Sequence, residues 1–394
     1  MNNTPNANRL HIAIFGRRNS GKSSFINALT GQDTSLVSEV AGTTTDTVAK
    51  AMELHGIGAC LFIDTPGFDD VGELGEGRIS RTLRSIERTD IALLLCEEDD
   101  ALSMEAEWLD KLRKYEIPTI AIINKIDIRN NIEDLRHRVE ERLGLTPLLC
   151  SAKEGIDIEV IRQHILSEIP SDLTEQSITG SLVSRGDSVL LVMPQDKQAP
   201  KGRLILPQVQ TLRELLDKGC VISSCTTELL EDTLASLKMP PKLIITDSQI
   251  FKHVYELCPK QSMLTSFSVL MAGYKGDIKT FRAGAEAIDK LTPNSRVLIA
   301  EACTHAPMTE DIGREKLPRM LRNKIGENLQ IDIVAGREFP KDLTPYDLII
   351  HCGACMFNRK YVRWRINSAL EQNIPITNYG IAIAYISGIL EYIV

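Results

Sequence analysis

Short apolar runs alternate with amphipathic stretches through the first 170 residues of the chain. The apolar runs have the length of buried strands, and between them apolar positions recur at the spacing of a helix face. This alternation predicts a doubly wound α/β domain with a mainly parallel sheet over residues 1–170, which ends where Ile169–Asp172 stops the last helix. The predicted strands are His11–Phe15, Ala59–Ile63, Ile91–Cys96, Thr119–Ile123 and Thr146–Leu149.

The rest of the chain shows the same alternation in two shorter segments. We predict two smaller α/β domains over residues 178–260 and 261–394, and we interpret the middle one as a structural or assembly module because it carries no catalytic motif. The predicted strands are Ser188–Met193, Cys220–Ser224, Lys242–Ile245, Arg296–Ala300, Gln330–Val334, Leu348–Ile350 and Ile374–Thr377. The predicted helices of the middle segment are Leu206–Lys218, Thr226–Leu237 and Ser248–Leu257.

The composition narrows the class of protein. The 394 residues are 43% hydrophobic and 25% charged, as in globular proteins that build several cores. A net charge of −8 counts against a nucleic-acid partner, because phosphate binding needs a basic surface. Met1–Arg9 has no apolar signal segment, and no run approaches the roughly 18 apolar residues that cross a membrane. We therefore expect a cytoplasmic protein with no membrane partner, whose nine cysteines are thiols or metal ligands.

Residues Gly16–Ser23 match the phosphate-binding pattern G-x-x-x-x-G-K-[ST] between a predicted strand and a predicted helix. Glycine lets backbone N–H groups wrap around phosphate oxygens, and a helix N-terminus favours their negative charge. Lys22 is expected to reach the β- and γ-phosphates as the catalytic cation, and the Ser23 hydroxyl is expected to bind Mg²⁺. The nucleotide-binding residues predicted in this loop are Gly16, Asn19, Ser20, Gly21, Lys22, Ser23 and Ser24.

Three further motifs follow predicted strands in the order typical of a GTPase. In Asp64-Thr65-Pro66-Gly67, the aspartate is expected at the Mg²⁺ shell and the glycine N–H at the γ-phosphate. In Asn124-Lys125-Ile126-Asp127, the last carboxylate can accept hydrogen bonds from N1–H and the 2-amino group of guanine, which adenine lacks. We therefore predict GTP rather than ATP. The loop expected to give a backbone N–H to guanine O6 contains Ser151, Ala152 and Lys153.

The segment after the phosphate-binding loop resembles the first switch region of GTPases related to the tRNA-modification protein MnmE. Residues Gly42–Asp46 read G-T-T-T-D, where those proteins have G-T-T-x-D. A threonine in this interval closes on Mg²⁺ when the γ-phosphate is present. The resemblance implies that Thr44 is this ligand, with Thr43 as the second candidate.

The same resemblance bears on how GTP would be hydrolysed. Phe68 stands where Ras-like proteins have the glutamine that orients the attacking water. In MnmE-like proteins the asparagine at the position of Asn19 helps to bind K⁺, although an asparagine there could also merely tolerate the loop backbone. The resemblance implies slow, K⁺-stimulated hydrolysis, with Glu76 as the catalytic glutamate and Glu73 as its rival.

Two loops in the third segment pair histidine with cysteine at the ends of predicted strands. Cys303-Thr304-His305 follows one strand, and His351-Cys352-Gly353-Ala354-Cys355 follows another. Because carboxyl ends of parallel strands share one edge, the two loops are expected to converge. Three thiolates with one variable position suit a [4Fe–4S] cluster, and the same set with one histidine suits Zn²⁺. The cysteines interpreted as non-ligands are Cys60, Cys96, Cys150, Cys220, Cys225 and Cys258.

The GTPase motifs, the middle module and the C-x-H…H-C-x-x-C pattern together resemble the [FeFe]-hydrogenase maturation GTPases, the HydF family, over the whole chain. The resemblance implies a dimerisation domain in the middle and a cluster-binding domain at the end. It implies that Cys303, Cys352 and Cys355 hold a [4Fe–4S] cluster, that His305 and His351 are ligands or neighbours of ligands, and that Glu310 is a further candidate for the fourth iron.

In function, the resemblance implies a scaffold or carrier that delivers a di-iron precursor to apo-[FeFe]-hydrogenase. The implied partners are that hydrogenase, radical-SAM maturation enzymes and further copies of the same chain. The alternative is an MnmE-like or ribosome-assembly GTPase with a structural zinc site. The acidic net charge and the lack of a basic RNA-binding module count against that alternative.

Overall fold

The computed structural model describes the chain in nine ranges. These ranges are residues 4–31, 49–54, 56–67, 82–97, 101–170, 177–194, 204–302, 311–336 and 338–393. The chain forms two compact units, Met1–Glu175 and Gln176–Val394. Within the described ranges, no helix is both long enough and apolar enough to cross a membrane.

The first unit contains a six-stranded sheet in the order β2-β3-β1-β4-β5-β6. All pairings are parallel except that of β2 with β3. Its strands are β1 Leu10–Gly16, β2 Ala49–Leu54, β3 Gly58–Asp64, β4 Ile91–Leu95, β5 Thr119–Ile123 and β6 Leu148–Leu149. Its helices are α1 Lys22–Thr30, α2 Ser103–Lys114, α3 Ile132–Leu143 and α4 Ile158–Ser167.

The central strands β1 and β4 are apolar because helices cover both faces of the sheet. All five residues of β4 are buried, as expected for a strand in the middle of a parallel sheet. One core packs Phe25 and Leu29 of α1 against one face, and a second core packs Trp108 and Leu112 of α2 against the other. The predicted doubly wound fold is confirmed. The edge strand β2 was not predicted, because Lys50 and Glu53 interrupt its apolar run.

The second unit begins with a four-stranded parallel sheet in the order β10-β9-β7-β8. Its strands are β7 Ser188–Val192, β8 Val221–Cys225, β9 Leu243–Thr246 and β10 Met263–Ser266. Its helices are α5 Leu206–Asp217, α6 Leu230–Ser236, α7 Phe251–Leu257 and α8 Phe267–Lys275. Because β10 pairs with β9, this sheet extends past residue 260, where the sequence analysis ended the middle domain. A short 3₁₀ turn, Thr227–Leu229, precedes α6 and takes up part of the longer helix predicted there.

A second four-stranded parallel sheet follows, in the order β12-β11-β13-β14. Its strands are β11 Arg296–Ala300, β12 Gln330–Val334, β13 Leu348–His351 and β14 Ile376–Asn378. Its helices are α9 Ile278–Glu286, α10 Leu317–Ile325, α11 Arg359–Glu371 and α12 Tyr379–Ile386. The carboxyl ends of β11 and β13 are neighbours, so the two cysteine-bearing loops leave the sheet at the same edge.

The two sheets of the second unit share one hydrophobic core. Ile244 of β9 and Ile349 of β13 belong to the same cluster of buried residues. Helix α9 approaches β14 so closely that a Cβ at Gly284 would lie 1.9 Å from the Ile376 carbonyl oxygen. Near the end of the chain, Ile393 forms a parallel bridge to Leu264 of β10. This packing brings the end of α8 against the loop that follows β13.

Candidate functional site

The phosphate-binding loop connects β1 to α1 through a tight turn. Asn19 and Gly21 have positive φ angles of 59° and 87°. A Cβ at Gly21 would lie 2.5 Å from Asn124 Nδ2, so only glycine fits there. Lys22 Nζ donates hydrogen bonds to the carbonyl oxygens of Gly16 at 3.0 Å and Arg17 at 2.7 Å. The ammonium group therefore lies within the loop that the sequence predicts to hold phosphate.

Ser23 and Asp64 meet beside this loop. The Ser23 hydroxyl donates to Asp64 Oδ2 at 2.9 Å, and the buried Asp64 Oδ1 has no hydrogen-bond partner among the described residues. Burial raises the pKa of Asp64, while the Ser23 hydrogen bond and the Lys22 charge lower it. An orphaned, buried carboxylate oxygen next to a hydroxyl offers hard oxygen ligands, so these residues fit the predicted Mg²⁺.

Asn124 joins the phosphate-binding loop to the loop that follows β6. Its Nδ2 donates to the Ser20 carbonyl oxygen at 3.2 Å, and its Oδ1 accepts from Ala152 N at 3.0 Å. Ser151 Oγ donates to Asp127 Oδ1 at 2.6 Å. This hydrogen bond is the main cause that lowers the pKa of Asp127, whose carboxylate is exposed. The structure thus brings the phosphate-binding loop, the Asn124–Asp127 motif and the Ser151–Lys153 loop together at one edge of the sheet. The ionised carboxylate of Asp127 is open to solvent there.

Charged residues that the sequence analysis missed hold these motifs in place. Glu97, which follows β4, accepts from Lys125 Nζ at 3.4 Å and from Arg129 Nη2 at 2.6 Å. Lys125 Nζ also donates to the Asn19 carbonyl oxygen. Glu97 is the first of four consecutive acidic residues, Glu97–Asp100, and the sequence does not single it out because its partners lie on other loops.

A second missed contact fastens the phosphate-binding loop to α2. Arg17 Nε donates to Glu105 Oε1 at 2.8 Å, and Arg17 Nη2 lies 3.2 Å from Glu105 Oε2. The Glu105 side chain is fully buried. This geometry is a bidentate guanidinium–carboxylate pair, which fixes orientation as well as charge.

In the second unit, Cys352 lies directly after β13 at the predicted cysteine centre. Its Sγ accepts hydrogen bonds from Ala302 N at 3.0 Å and Ala354 N at 3.3 Å. Ala302 follows β11 and directly precedes Cys303, so the backbone at the start of the first predicted loop contacts this sulfur. Burial raises the pKa of the Cys352 thiol to about 11. A metal must therefore displace the thiol proton, which couples metal binding to proton release.

A buried lysine supports the loop from the side of α8. Lys275 Nζ donates to the carbonyl oxygens of Ala354 at 2.9 Å, Cys355 at 3.4 Å and Phe357 at 2.9 Å. Burial lowers the pKa of Lys275 to about 8, so the group is still predominantly charged at pH 7.

A buried arginine supports the same loop from α11. Arg365 Nη1 donates to His351 Nε2 at 3.0 Å, and Nη2 donates to the Gly336 carbonyl oxygen. Its guanidinium carbon lies 4.7 to 4.9 Å from the centroids of three aromatic rings. Those rings belong to Phe339, Phe357 and Tyr361. Neither Arg365 nor Lys275 carries a sequence motif, and the sequence analysis missed both.

His351 has protein partners at both ring nitrogens. Its Nδ1 is 2.7 Å from the Cys352 carbonyl oxygen, to which it must donate, and its Nε2 accepts from Arg365. Burial, and secondarily the Arg365 charge, lower the pKa of His351 to about 3, so the ring is neutral. A metal ion would have to displace one of these hydrogen bonds. The geometry therefore does not favour His351 as a metal ligand and gives it a supporting role beside Cys352.

The described residues alone do not complete a metal centre. Within the described ranges, no three His, Cys, Asp or Glu side chains group as metal ligands would. The predicted residues of this centre that lie outside the described ranges are Cys303, His305 and Glu310. The predicted non-ligand cysteines Cys60, Cys96 and Cys150 are buried in the first unit, in agreement with a packing role.

Three family models match successive parts of the chain. A 50S ribosome-binding GTPase model matches residues 11–125. A hydrogen maturase F dimerization domain matches residues 178–276, and a hydrogen maturase F tetramerization domain matches residues 279–394. The latter two models come from one family and together match more than half of the chain. The chain belongs to the hydrogen maturase F (HydF) family. The resemblance inferred from the motifs is confirmed.

Curated relatives of known name match the GTPase region. The tRNA modification GTPase MnmE of Chromobacterium violaceum is 33% identical over 150 residues, which is 38% of this chain and 33% of that protein. GTPase Der of Wolinella succinogenes is 33% identical over 190 residues, which is 43% of this chain and 39% of that protein. The chain therefore spans less than half of the length of these relatives. A solved structure of a probable GTP-binding protein, engB, is 24% identical, covers 40% of this chain and 98% of its own, and has a TM-score of 0.33.

The predicted switch residues belong to two segments of the chain. Residues of the first switch and of the segment after Gly67 lie outside the described ranges. The predictions that therefore stay as predictions concern Thr43, Thr44, Phe68, Glu73 and Glu76.

Proposed function

We propose that this chain binds and hydrolyses GTP and serves as a scaffold or carrier in [FeFe]-hydrogenase maturation. In this proposal, Cys303, Cys352 and Cys355 hold a [4Fe–4S] cluster, and a di-iron precursor is the cargo delivered to apo-hydrogenase. The observation that carries the proposal is the Cys352 sulfur, which accepts two backbone N–H groups where two loops meet inside the region matched by the tetramerization model. Backbone N–H groups aimed at a sulfur stabilise a thiolate ligand.

The nucleotide half of the proposal assigns roles to residues already in contact. Lys22 would neutralise phosphate charge, while Ser23 and Asp64 would hold Mg²⁺. Mg²⁺, when bound, supplies charge that offsets the negative charge developing on the phosphates. Asp127, held ionised by Ser151, would select guanine, and a backbone N–H of the Ser151–Lys153 loop other than that of Ala152, which donates to Asn124 Oδ1, would face guanine O6.

For hydrolysis, we propose that Asn19 contributes to a K⁺ site. Its side chain is exposed at the point where the loop turns through positive φ, and Lys125 fixes its carbonyl oxygen. We expect GTP turnover to be faster in K⁺ buffer than in Na⁺ buffer, and we expect this difference to vanish in Asn19→Ala. Equal turnover of the parent chain in the two buffers would remove K⁺ from the proposal and leave GTP hydrolysis intact.

The test of the cluster is anaerobic reconstitution with iron and sulfide. We expect about four irons per chain and an EPR signal after reduction, both lost in Cys352→Ser and kept in Cys258→Ser. Cys258 is the matched control because it lies in the same unit and has no predicted ligand role. Stoichiometric zinc with no EPR signal would instead support the alternative, a GTPase with a structural zinc site.

The delivery step needs a separate measurement. The chain is first produced together with the radical-SAM maturation enzymes, so that it can carry the proposed di-iron precursor. Mixing this chain with apo-[FeFe]-hydrogenase should then raise hydrogen evolution. The Cys352→Ser chain should not. The matched dimerization and tetramerization models support a homo-oligomer as the acting species, and size measurement of the loaded chain tests this.

A further inference from the structure

Lys275 and Arg365 are buried cations without an anionic partner among the residues that the structure describes. Their exposed fractions are 2% and 0%. No carboxylate among the described residues forms an ion pair with either of them, whereas the buried pair Arg17–Glu105 in the first unit is bidentate. A buried charge is costly unless an opposite charge compensates it. Two such cations against one loop therefore indicate that the loop carries negative charge in the working protein.

The present partners of these cations are neutral. Lys275 donates to three carbonyl oxygens, and Arg365 contacts His351, the Gly336 carbonyl and three aromatic faces. These contacts solvate a cation but do not balance its charge. In addition, Arg365 Nε is buried without a hydrogen-bond partner among the described residues.

The two cations contact the cysteine loop at its two ends. Arg365 binds His351, directly before Cys352, whereas Lys275 binds the carbonyl groups from Ala354 to Phe357. Lys275 and Ala354 are 79 positions apart in the chain. Lys275 belongs to the part matched by the dimerization model, and the loop belongs to the part matched by the tetramerization model. Both parts thus contribute to the centre.

We propose that Lys275 and Arg365 are positioning residues that hold the Cys352–Cys355 loop and balance the negative charge of a thiolate-bound iron–sulfur group. This inference rests on the proposed function, because the negative charge it requires is that of the bound cluster with its thiolates. Thiolate ligands and cluster sulfides give the site a net negative charge that grows on reduction. Nearby cations stabilise the more negative, reduced form, so they raise its reduction potential and slow the loss of iron.

The test separates charge from hydrogen bonding at Lys275 in the full-length chain. Lys275→Met removes both, Lys275→Gln keeps amide donors for the carbonyl oxygens but removes the charge, and Lys275→Arg keeps the charge. Lys279→Met is the matched control, since Lys279 is exposed in the adjacent helix α9. The readouts are the midpoint potential from an EPR-monitored titration of the reconstituted protein and the rate of iron release to a chelator.

We expect Lys275→Met and Lys275→Gln to shift the potential to more negative values and to release iron roughly 10- to 100-fold faster. The midpoint potential and iron-release rate of Lys275→Arg should lie close to those of the parent, and those of Lys279→Met should equal the parental values. If Lys275→Met does not fold, as judged by thermal unfolding without iron, Lys275→Gln carries the test. A Gln variant that behaves like the parent would show that only hydrogen bonds matter and would overturn the inference.

The same experiment distinguishes the inference from the function beneath it. A parent chain that takes up no cluster overturns the proposed function and the inference with it. A parent chain that loads normally, with neutral variants of unchanged potential and release rate, overturns the inference alone.

Discussion

The nucleotide edge of the first unit and the cysteine centre of the second occupy equivalent places, at the carboxyl ends of parallel strands. They differ in how charge is arranged. At the nucleotide edge, Glu97 bridges Lys125 and Arg129, and Glu105 pairs with Arg17. At the cysteine centre, Lys275 and Arg365 are buried with neutral partners. The cations that hold the nucleotide motifs in place are thus paired with carboxylates, whereas in our proposal Lys275 and Arg365 are balanced by the bound cluster.

The two sites also differ in whether their residues lie next to strand ends. The nucleotide residues lie within a few positions of strand ends, so linear motifs capture most of them. The cysteine loop depends on Lys275 in α8 and Arg365 in α11, which reach it only because two sheets share a core. The core of the second unit therefore positions Lys275 and Arg365 against the cysteine loop. The largest predicted effect follows from disturbing that core.

Gly284→Ala should destabilise the second unit and leave the first unit able to bind GTP. The added Cβ would lie 1.9 Å from the Ile376 carbonyl oxygen, so α9 must move away from β14. We expect the free energy of unfolding of the second unit to fall by about 4 kcal/mol, measured by urea titration. The matched control is Gly273→Ala in α8, where a Cβ meets nothing within 4 Å and about 0.5 kcal/mol of stabilisation is expected. Equal stability of the two variants would contradict the close packing.

Lys22→Ala should have the opposite effect: it should impair the first unit and leave the second unit unchanged. Loss of the ammonium group removes charge-assisted hydrogen bonds to phosphate, so GTP affinity should fall roughly 100-fold, which is about 3 kcal/mol. Titration with a fluorescent GTP analogue measures this. Iron uptake by the second unit should not change. Lys114→Ala, at an exposed position of α2, serves as the control. A Lys22→Ala chain with parental GTP affinity would show that the Lys22 ammonium group does not contribute to phosphate binding.

The strands of both units were largely predictable, because buried parallel strands form uninterrupted apolar runs. The exceptions have physical causes. Strand β2 lies at a sheet edge and carries Lys50 and Glu53, so its apolar pattern is broken. The run Met263–Ser266 was assigned to the third segment, since a pattern cannot show with which strand it pairs.

The sites were predictable only where chemistry is local in sequence. The phosphate and guanine motifs and the C-x-x-C loop each follow one strand, so their spacing is diagnostic. Lys275 and Arg365 have no diagnostic spacing, because their partners are backbone carbonyls and rings supplied by other elements. For His351 the resemblance left two roles open, ligand or neighbour of ligands, and only the structure shows that its ring nitrogens contact Arg365 and a carbonyl oxygen.

That supporting role of His351 gives the third prediction. In His351→Asn the shorter side chain cannot reach Arg365 as an acceptor, although its amide can still donate to the Cys352 carbonyl oxygen, so stability should fall by about 2 kcal/mol. Iron bound per folded chain should equal that of the parent. Thermal unfolding and iron analysis measure the two effects, with His253→Asn, at an exposed position of α7, as the control. A stable His351→Asn chain that has lost iron would restore the histidine as a ligand.

The smallest predicted effect concerns the exposed carboxylate at the nucleotide edge. Asp127 is ionised and solvent-exposed, so its hydrogen bonds to a base are partly screened. Asp127→Asn should weaken GTP binding roughly 10-fold, or about 1.4 kcal/mol. The affinity for ITP, which lacks the 2-amino group, should fall less than the affinity for GTP. The measurement is therefore the ratio of GTP affinity to ITP affinity. Glu154→Gln is the control, because Glu154 is a nearby exposed carboxylate paired with Lys153. If both variants keep the parental ratio, guanine selection must come from the Ser151–Lys153 loop, and the carboxylate would serve only to hold Ser151.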